Sequence, residues 1–120
     1  MTITATSFES YSVVQVDGSL NRQTAPELEK ALQALVDKGQ MRVVLDLSGV
    51  PEMSSAGLRT IISAAKRLRG GRGDGDLRLA APGKRVVDVL ELAGLLPVFR
   101  IFDTSEQAVA SFQQTDKPRG

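Results

Sequence analysis

The chain reads as an α/β domain: a mostly parallel sheet of four to five strands, with an edge strand at its N-terminus, packed with about four helices. Three observations predict this. Short β-branched or continuously apolar runs alternate with stretches of helical spacing, in the order β-β-α-β-α-β-α-β-α. The run Met41 to Leu47 is broken only by Arg42 and Asp46, which suits a central strand buried on both faces. Glycines at 39, 70 and 94 stop three helical patterns, as helix ends require.

A length of 120 residues fits one domain with one core, read as residues 1–114 followed by a frayed tail at 115–120. The chain is 42% hydrophobic and 24% charged, the balance of a globular protein rather than a disordered one. Its net charge of +1 excludes the whole-protein basic field that drives nucleic-acid binding. There is no Cys, hence no disulfide and no thiolate metal site. There is no His, which removes the commonest general base and the commonest metal ligand together. No paired-carboxylate site is evident, so the chain is read as a non-enzyme without cofactor or metal. The N-terminal residues lack the pattern of a signal peptide, and no apolar run approaches the ~20 residues of a membrane span. The expectation is a cytoplasmic protein that engages neither membrane nor nucleic acid directly.

Residues 2–8 alternate loosely and suit the edge strand. Tyr11 to Asp17 is rich in β-branched residues and reads as the second strand. Thr24-Ala25-Pro26-Glu27 opens a helix with a capping-box pattern, and Leu28, Leu32, Leu35 and Val36 form its apolar stripe. After the central strand, Leu58, Ile61, Ile62, Ala65 and Leu68 mark a second helix. Residues 70–75 are a Gly-rich loop. It contains Arg72-Gly73-Asp74, an adhesion tripeptide in extracellular proteins, here read as a flexible turn. Leu77 to Ala81 is a strand, and Pro82 opens a helix with Val86, Val87, Leu90 and Ala93 inward. Val98 to Phe102 reads as the last strand. Thr104-Ser105-Glu106-Gln107 carries another capping box before a terminal helix with Ala108, Val109 and Phe112.

The stretch from Asp46 to Arg59 concentrates the functional signal. It passes from strand through a Gly49–Pro51 turn to two serines at a helix start, where anionic groups are favoured. On a helical wheel at about 100° per residue, Ser55, Arg59 and Lys66 share one rim, about a quarter turn from the core stripe, with Ile62 as apolar neighbour. Ser55 lies beside Ala56 and Gly57 and is sterically accessible. The plain alternative for Ser54 and Ser55 is capping, a contribution of about 1 kcal/mol. One serine can cap while the other is free. For Arg59, Lys66, Arg67 and Arg69 the plain reading is a solvated face with favourable charge at the helix C-terminus. Asp46 is a lone carboxylate at a strand end, a weak metal signal.

The run from Val44 to Leu58, with its core Asp46-Leu47-Ser48-Gly49 and Ser54-Ser55-Ala56-Gly57-Leu58, resembles the signature of STAS domains, in particular bacterial anti-sigma-factor antagonists. Gly18-Ser19-Leu20-Asn21 with Thr24-Ala25-Pro26, the segment Val86 to Leu95, and Asp103 to Ala108 are similar to that family in the right order. The resemblance implies a single STAS-like domain and a partner switch linked to transcription regulation and stress response. An anti-sigma factor with serine kinase activity phosphorylates the serine that here is Ser55. The unphosphorylated form binds the anti-sigma factor and frees the sigma factor, and a metal-dependent serine phosphatase restores it. The implied partner surface comprises Asn21, Ser54, Ser55, Gly57, Arg59, Ile62 and Lys66, on a monomer or weak dimer. Two departures qualify it. Ser54 stands where many members carry Asp, making it a second possible acceptor. Asn21 stands where the family has Asp, which leaves open a different partner and a partner-switching module that controls something other than a sigma factor. The alternative class is a STAS binding or scaffold module that controls a non-sigma target without phospho-switching.

Overall fold

The computed structural model describes residues 1–71 and 73–116, with side chains to Gln113. Five strands form one sheet in sequence order: β1 (Thr2–Ser7), β2 (Ser12–Asp17), β3 (Arg42–Gly49), β4 (Asp76–Ala80) and β5 (Ile101–Phe102). β1 runs antiparallel to β2, and every later pairing is parallel. The helices are α1 (Ala25–Asp37), α2 (Ser55–Arg69), α3 (Lys84–Leu92) and α4 (Ser105–Asp116). The predicted architecture and element order are therefore present. Arg72, the first residue of the adhesion tripeptide, and residues 117–120 of the expected tail lie outside the described residues.

Strand alternation divides the core into two layers. Val43, Leu45 and Leu47 of β3, with Leu77 and Leu79 of β4, face α1, α2 and α3. Leu28 and Leu32, Ile61 and Leu68, and Val86 and Leu90 meet them from those helices. Val44 and Ala80 face the other way, onto Ala108 and Phe112 of α4. Each such side chain, taken wholly out of water, contributes about 1.5–3 kcal/mol. Two helices end as their glycines require. Gly39 and Gly94 adopt φ of +78° and +72°, and the next residue in each case, Gln40 or Leu95, returns its N–H to a carbonyl in the last helical turn.

Four local expectations are corrected. Thr24 precedes α1 but does not cap it through its side chain. Its hydroxyl instead donates to the Ser19 carbonyl at 2.8 Å and accepts from the Asn21 N–H at 2.9 Å, so it builds the preceding loop. α3 starts two residues later than Pro82, after Gly83, and Ala93 is exposed because it is the C-cap rather than a core position. The last strand is reduced to Ile101–Phe102. Pro97 sets a 3-10 turn over Leu96–Val98, and Arg69 holds that segment off the sheet by donating to the Val98 carbonyl at 2.9 Å and lying 5.2 Å over the Phe99 ring. The terminal capping box does form, in a shifted version. Thr104 accepts from the Gln107 N–H, and Gln107 accepts from the Asp103 N–H, both at 3.1 Å.

Two polar devices lock α4 onto the sheet. Arg78 is buried beneath it, 4.0 Å over the Phe112 ring, donating to the Ser111 hydroxyl at 2.7 Å and pairing with Asp76 at 3.1 Å. Asp46, near the end of β3, accepts from the Ser105 hydroxyl at 2.8 Å and from the Ser48 N–H at 2.9 Å. Its carboxylate is thus spent on protein donors, and no metal-binding acidic cluster occurs among the described residues. Burial pushes the Asp46 carboxyl up, but the hydrogen bonds from Ser48 and Ser105 outweigh it and hold it below its ordinary value. A carboxyl lowered by folding stabilises the fold above its unfolded value of 3.8 and loses that contribution as the pH falls through the still lower folded value. The stability gap between wild type and Asp46→Asn, read from urea midpoints at a series of pH values, should therefore be constant near neutrality and narrow below 3.8.

Candidate functional site

β3 is buried at the centre of the sheet and delivers the chain to the C-terminal end of the parallel strands, where it must turn. Val50 and Met53 tuck back into the core at 3% and 5% exposure, leaving Pro51, Glu52, Ser54 and Ser55 outside. This turn is stitched to the β2–α1 loop. The Leu20 N–H donates to the Glu52 carbonyl at 3.0 Å, and the Ser54 N–H donates to the Leu20 carbonyl at 2.8 Å. Leu20 and Met53 thereby pair as an isolated parallel bridge. The loop that carries Asn21 and the loop that carries the serines become one surface, with a depression of about 250 Å³ between them.

Asn21 is half-buried, and its Oδ1 accepts from the Gln23 and Thr24 N–H groups at 2.9 and 3.1 Å. An aspartate would accept the same two bonds. The local fold is thus indifferent to the Asn-for-Asp departure, which removes one negative charge from the rim of the surface.

Ser54 occupies the N-cap position of α2 in an extended conformation, yet makes no side-chain cap hydrogen bond. Ser55 is the first residue of the helix and is exposed. The first helical acceptance is by the Ser54 carbonyl from the Leu58 N–H at 3.0 Å. The N–H groups of Ser55, Ala56 and Gly57 therefore have no intrahelical partner, as at any helix start, and no acidic side chain stands in the first turn. Capping thus accounts for neither serine.

The wheel places the rest correctly. Arg59 and Lys66 are exposed, and Ile62 is half-buried against the main core. Among the described residues no carboxylate pairs with Arg59 or Lys66. Arg67, on the neighbouring face, is committed elsewhere: it grips Glu29 and Gln33 of α1 and donates to Ser63 at 2.8 Å. Gly57 differs from its neighbours on the surface, because it is buried. A Cβ there would stand 2.9 Å from the Leu20 Cβ and 3.0 Å from the Met53 Cγ. Gly57 thus lets the helix start lie directly on the stitched loops, and it supports the surface from beneath. Leu20 and Met53 carry no periodic signal. The trace of Leu20 in the sequence is one apolar residue among turn-formers. A larger open hollow of about 530 Å³ lies at the opposite end of the strands, among Glu9, Gln40, Arg42 and Asp74, away from the serines.

The chain is similar to known proteins over nearly its whole length. The family model of the STAS domain matches residues 2–108. A Bordetella bronchiseptica protein described as a candidate anti-sigma factor antagonist, BtrV, is 38% identical over 119 residues, covering 99% of this chain and 100% of that one. An anti-sigma factor antagonist from Mycobacterium paratuberculosis superimposes with a TM-score of 0.84 at 28% identity, covering 93% of each chain. The Bacillus cell fate determinant SpoIIAA, solved in its phosphorylated form, shares the fold with a TM-score of 0.73 at 16% identity, covering 92% of this chain and 98% of its own.

Gly57→Ala should overpack the Leu20–Met53 contact. The expected cost is about 1–3 kcal/mol in chemical denaturation, with amide chemical-shift changes centred on the Ser19–Asn21 and Glu52–Ser55 segments. Gly39→Ala, in open space at positive φ, should leave those amides unmoved.

Proposed function

This chain belongs to the STAS-domain family, among the anti-sigma factor antagonists, and on that premise we propose that it is a partner switch governed by phosphorylation of Ser55. Unphosphorylated, it binds an anti-sigma factor that is also a serine kinase, and a sigma factor is released. Phosphorylated, it lets that partner go, and a metal-dependent serine phosphatase returns it to the binding form. The working unit is the domain over residues 1–114, acting in the cytoplasm.

The observation that carries this reading is the state of Ser55: an exposed hydroxyl at an uncapped helix N-terminus, one turn from an Arg59 that pairs with no carboxylate among the described residues. Phosphate adds about −1.5 to −2 charge and three acceptor oxygens. Free backbone N–H groups, the helix dipole and Arg59 can all receive that charge. The fold therefore tolerates the modification, and the effect falls on the partner. Asn21 and Ser54 on the adjoining loops, and Arg59, Ile62 and Lys66 along the helix, extend the contact surface away from Ser55, and a doubly charged group enters it where loops and helix meet. That SpoIIAA, a protein of the same fold, has been solved phosphorylated supports the chemistry. The neutral Asn21 favours one variation: a STAS module whose partner controls a target other than a sigma factor.

Ser55→Asp should weaken binding to the cognate kinase by several hundredfold relative to Ser55→Ala, about 3–4 kcal/mol, in calorimetry with purified proteins. Phosphate-affinity electrophoresis and mass spectrometry of the Met53–Arg59 region should place phosphate on Ser55, with Ser54→Ala still modified. Equal affinity of the acidic and alanine variants, or modification of Ser54 alone, would refute the switch.

A further inference from the structure

We propose that β1 is a self-pairing edge through which two copies of the chain join antiparallel into one continuous sheet. Among the described residues β1 has a strand neighbour on one side only. In an antiparallel ladder every second residue turns both its N–H and its C=O away from the partner strand. The outer side of β1 is thus a row of backbone donors and acceptors with no strand to receive them.

Exposed edges are ordinarily blunted by a charged side chain, a proline, a bulge or shortness. β1 has none of these. Its six residues read Thr-Ile-Thr-Ala-Thr-Ser, without charge, proline or glycine, and its register with β2 is unbroken from Thr2 to Ser7. The opposite edge of the sheet, β5, is only two residues long. Nor does the core explain the length of β1, since Ile3 alone is half-buried and the other five residues are exposed.

The occupant is a second copy because the strand is complementary to itself. Antiparallel pairing about a two-fold axis normal to the sheet puts Thr4 or Ala5 on the axis, so that facing residues share a side of the sheet. Threonines and alanine then meet one another, and no like charges oppose. The same operation carries Phe8 of each copy to the Met1 end of the other strand. Phe8 and Met1 are 46% and 37% exposed, and these two of the four exposed large apolar side chains among the described residues bracket β1. A ladder about 20 Å long buries less than the ~1,200 Å² of a stable specific interface, so the dimer is weak and reversible. Ser55 starts α2 beyond the C-terminal end of β3, the third strand from this edge, and is not part of β1, so on the proposed function the dimer displays two open phosphorylation sites.

The test is sedimentation velocity from about 10 µM to about 1 mM on the wild type, on Thr4→Lys with Thr6→Lys, and on Leu92→Lys with Val98→Lys. The wild type should move from monomer toward dimer. Either register brings the new β1 lysines opposite one another, so that variant should dimerise at least about tenfold more weakly. The Leu92 and Val98 variant, altered in the other exposed apolar patch, should behave as wild type. Backbone amide exchange on the wild type gives a reading independent of any substitution: β1 amides should gain protection with concentration while the Ser54–Ala56 amides do not. A wild type that stays monomeric throughout, a dimer lost only in the Leu92 and Val98 variant, or β1 exchange indifferent to concentration would overturn the proposal.

Discussion

Strand β3 is apolar on both of its faces, so it has nowhere to lie but the middle of the sheet, with α1, α2 and α3 on one side and α4 on the other. That burial determines where the chain emerges. Leaving the core after Leu47, it must satisfy its backbone at the C-terminal end of the strands, and it does so against the equally constrained loop after β2. Ser55 is exposed because Val50 and Met53, on either side of the turn, are not. The surface is therefore rigid by construction. Its exposed residues stand on buried ones, and Gly57 sets how closely the helix approaches them.

The electrostatics of this surface follow from what is left uncommitted. Arg67, Arg69, Arg78 and Lys84 are engaged with carboxylates. Among the described residues, Arg59 and Lys66 on the same rim as Ser55 are not. A new anion at Ser55 thus finds helix donors and a nearby guanidinium without displacing an existing ion pair. The helix can accept the charge while the geometry of the loops stays as it was.

The sheet order and the four helices were legible because their signals are periodic and local. The exposed rim of α2 followed from the same arithmetic. The misses have a common cause. Thr24 and Ser54 stand where caps are expected, yet hydroxyl side chains choose among several backbone partners, and loop packing decided the choice for Thr24. The Asp46–Ser105 bond and the Leu20–Met53 bridge join residues far apart in sequence, so no window reveals them. Arg78 is an arginine inside a short strand, and its burial depends on Phe112 and Ser111 arriving from α4. Shortening of the final strand depends likewise on Arg69 reaching Val98 from another helix.

The sequential sheet order has a kinetic meaning. Every strand pairs with the strand synthesised just before it, and no pairing waits on a partner that is still to be made. Each new βα unit can dock as it is completed, N-terminal elements first, which keeps loop closures short and the search for native contacts fast. β3 is the exception in exposure. It is the most apolar strand, and its second face stays bare until α4, the last helix in the chain, closes over Val44. Nascent and newly released chains therefore pass through a stage with an open hydrophobic face, and the length of that stage is set by how quickly the C-terminal helix arrives.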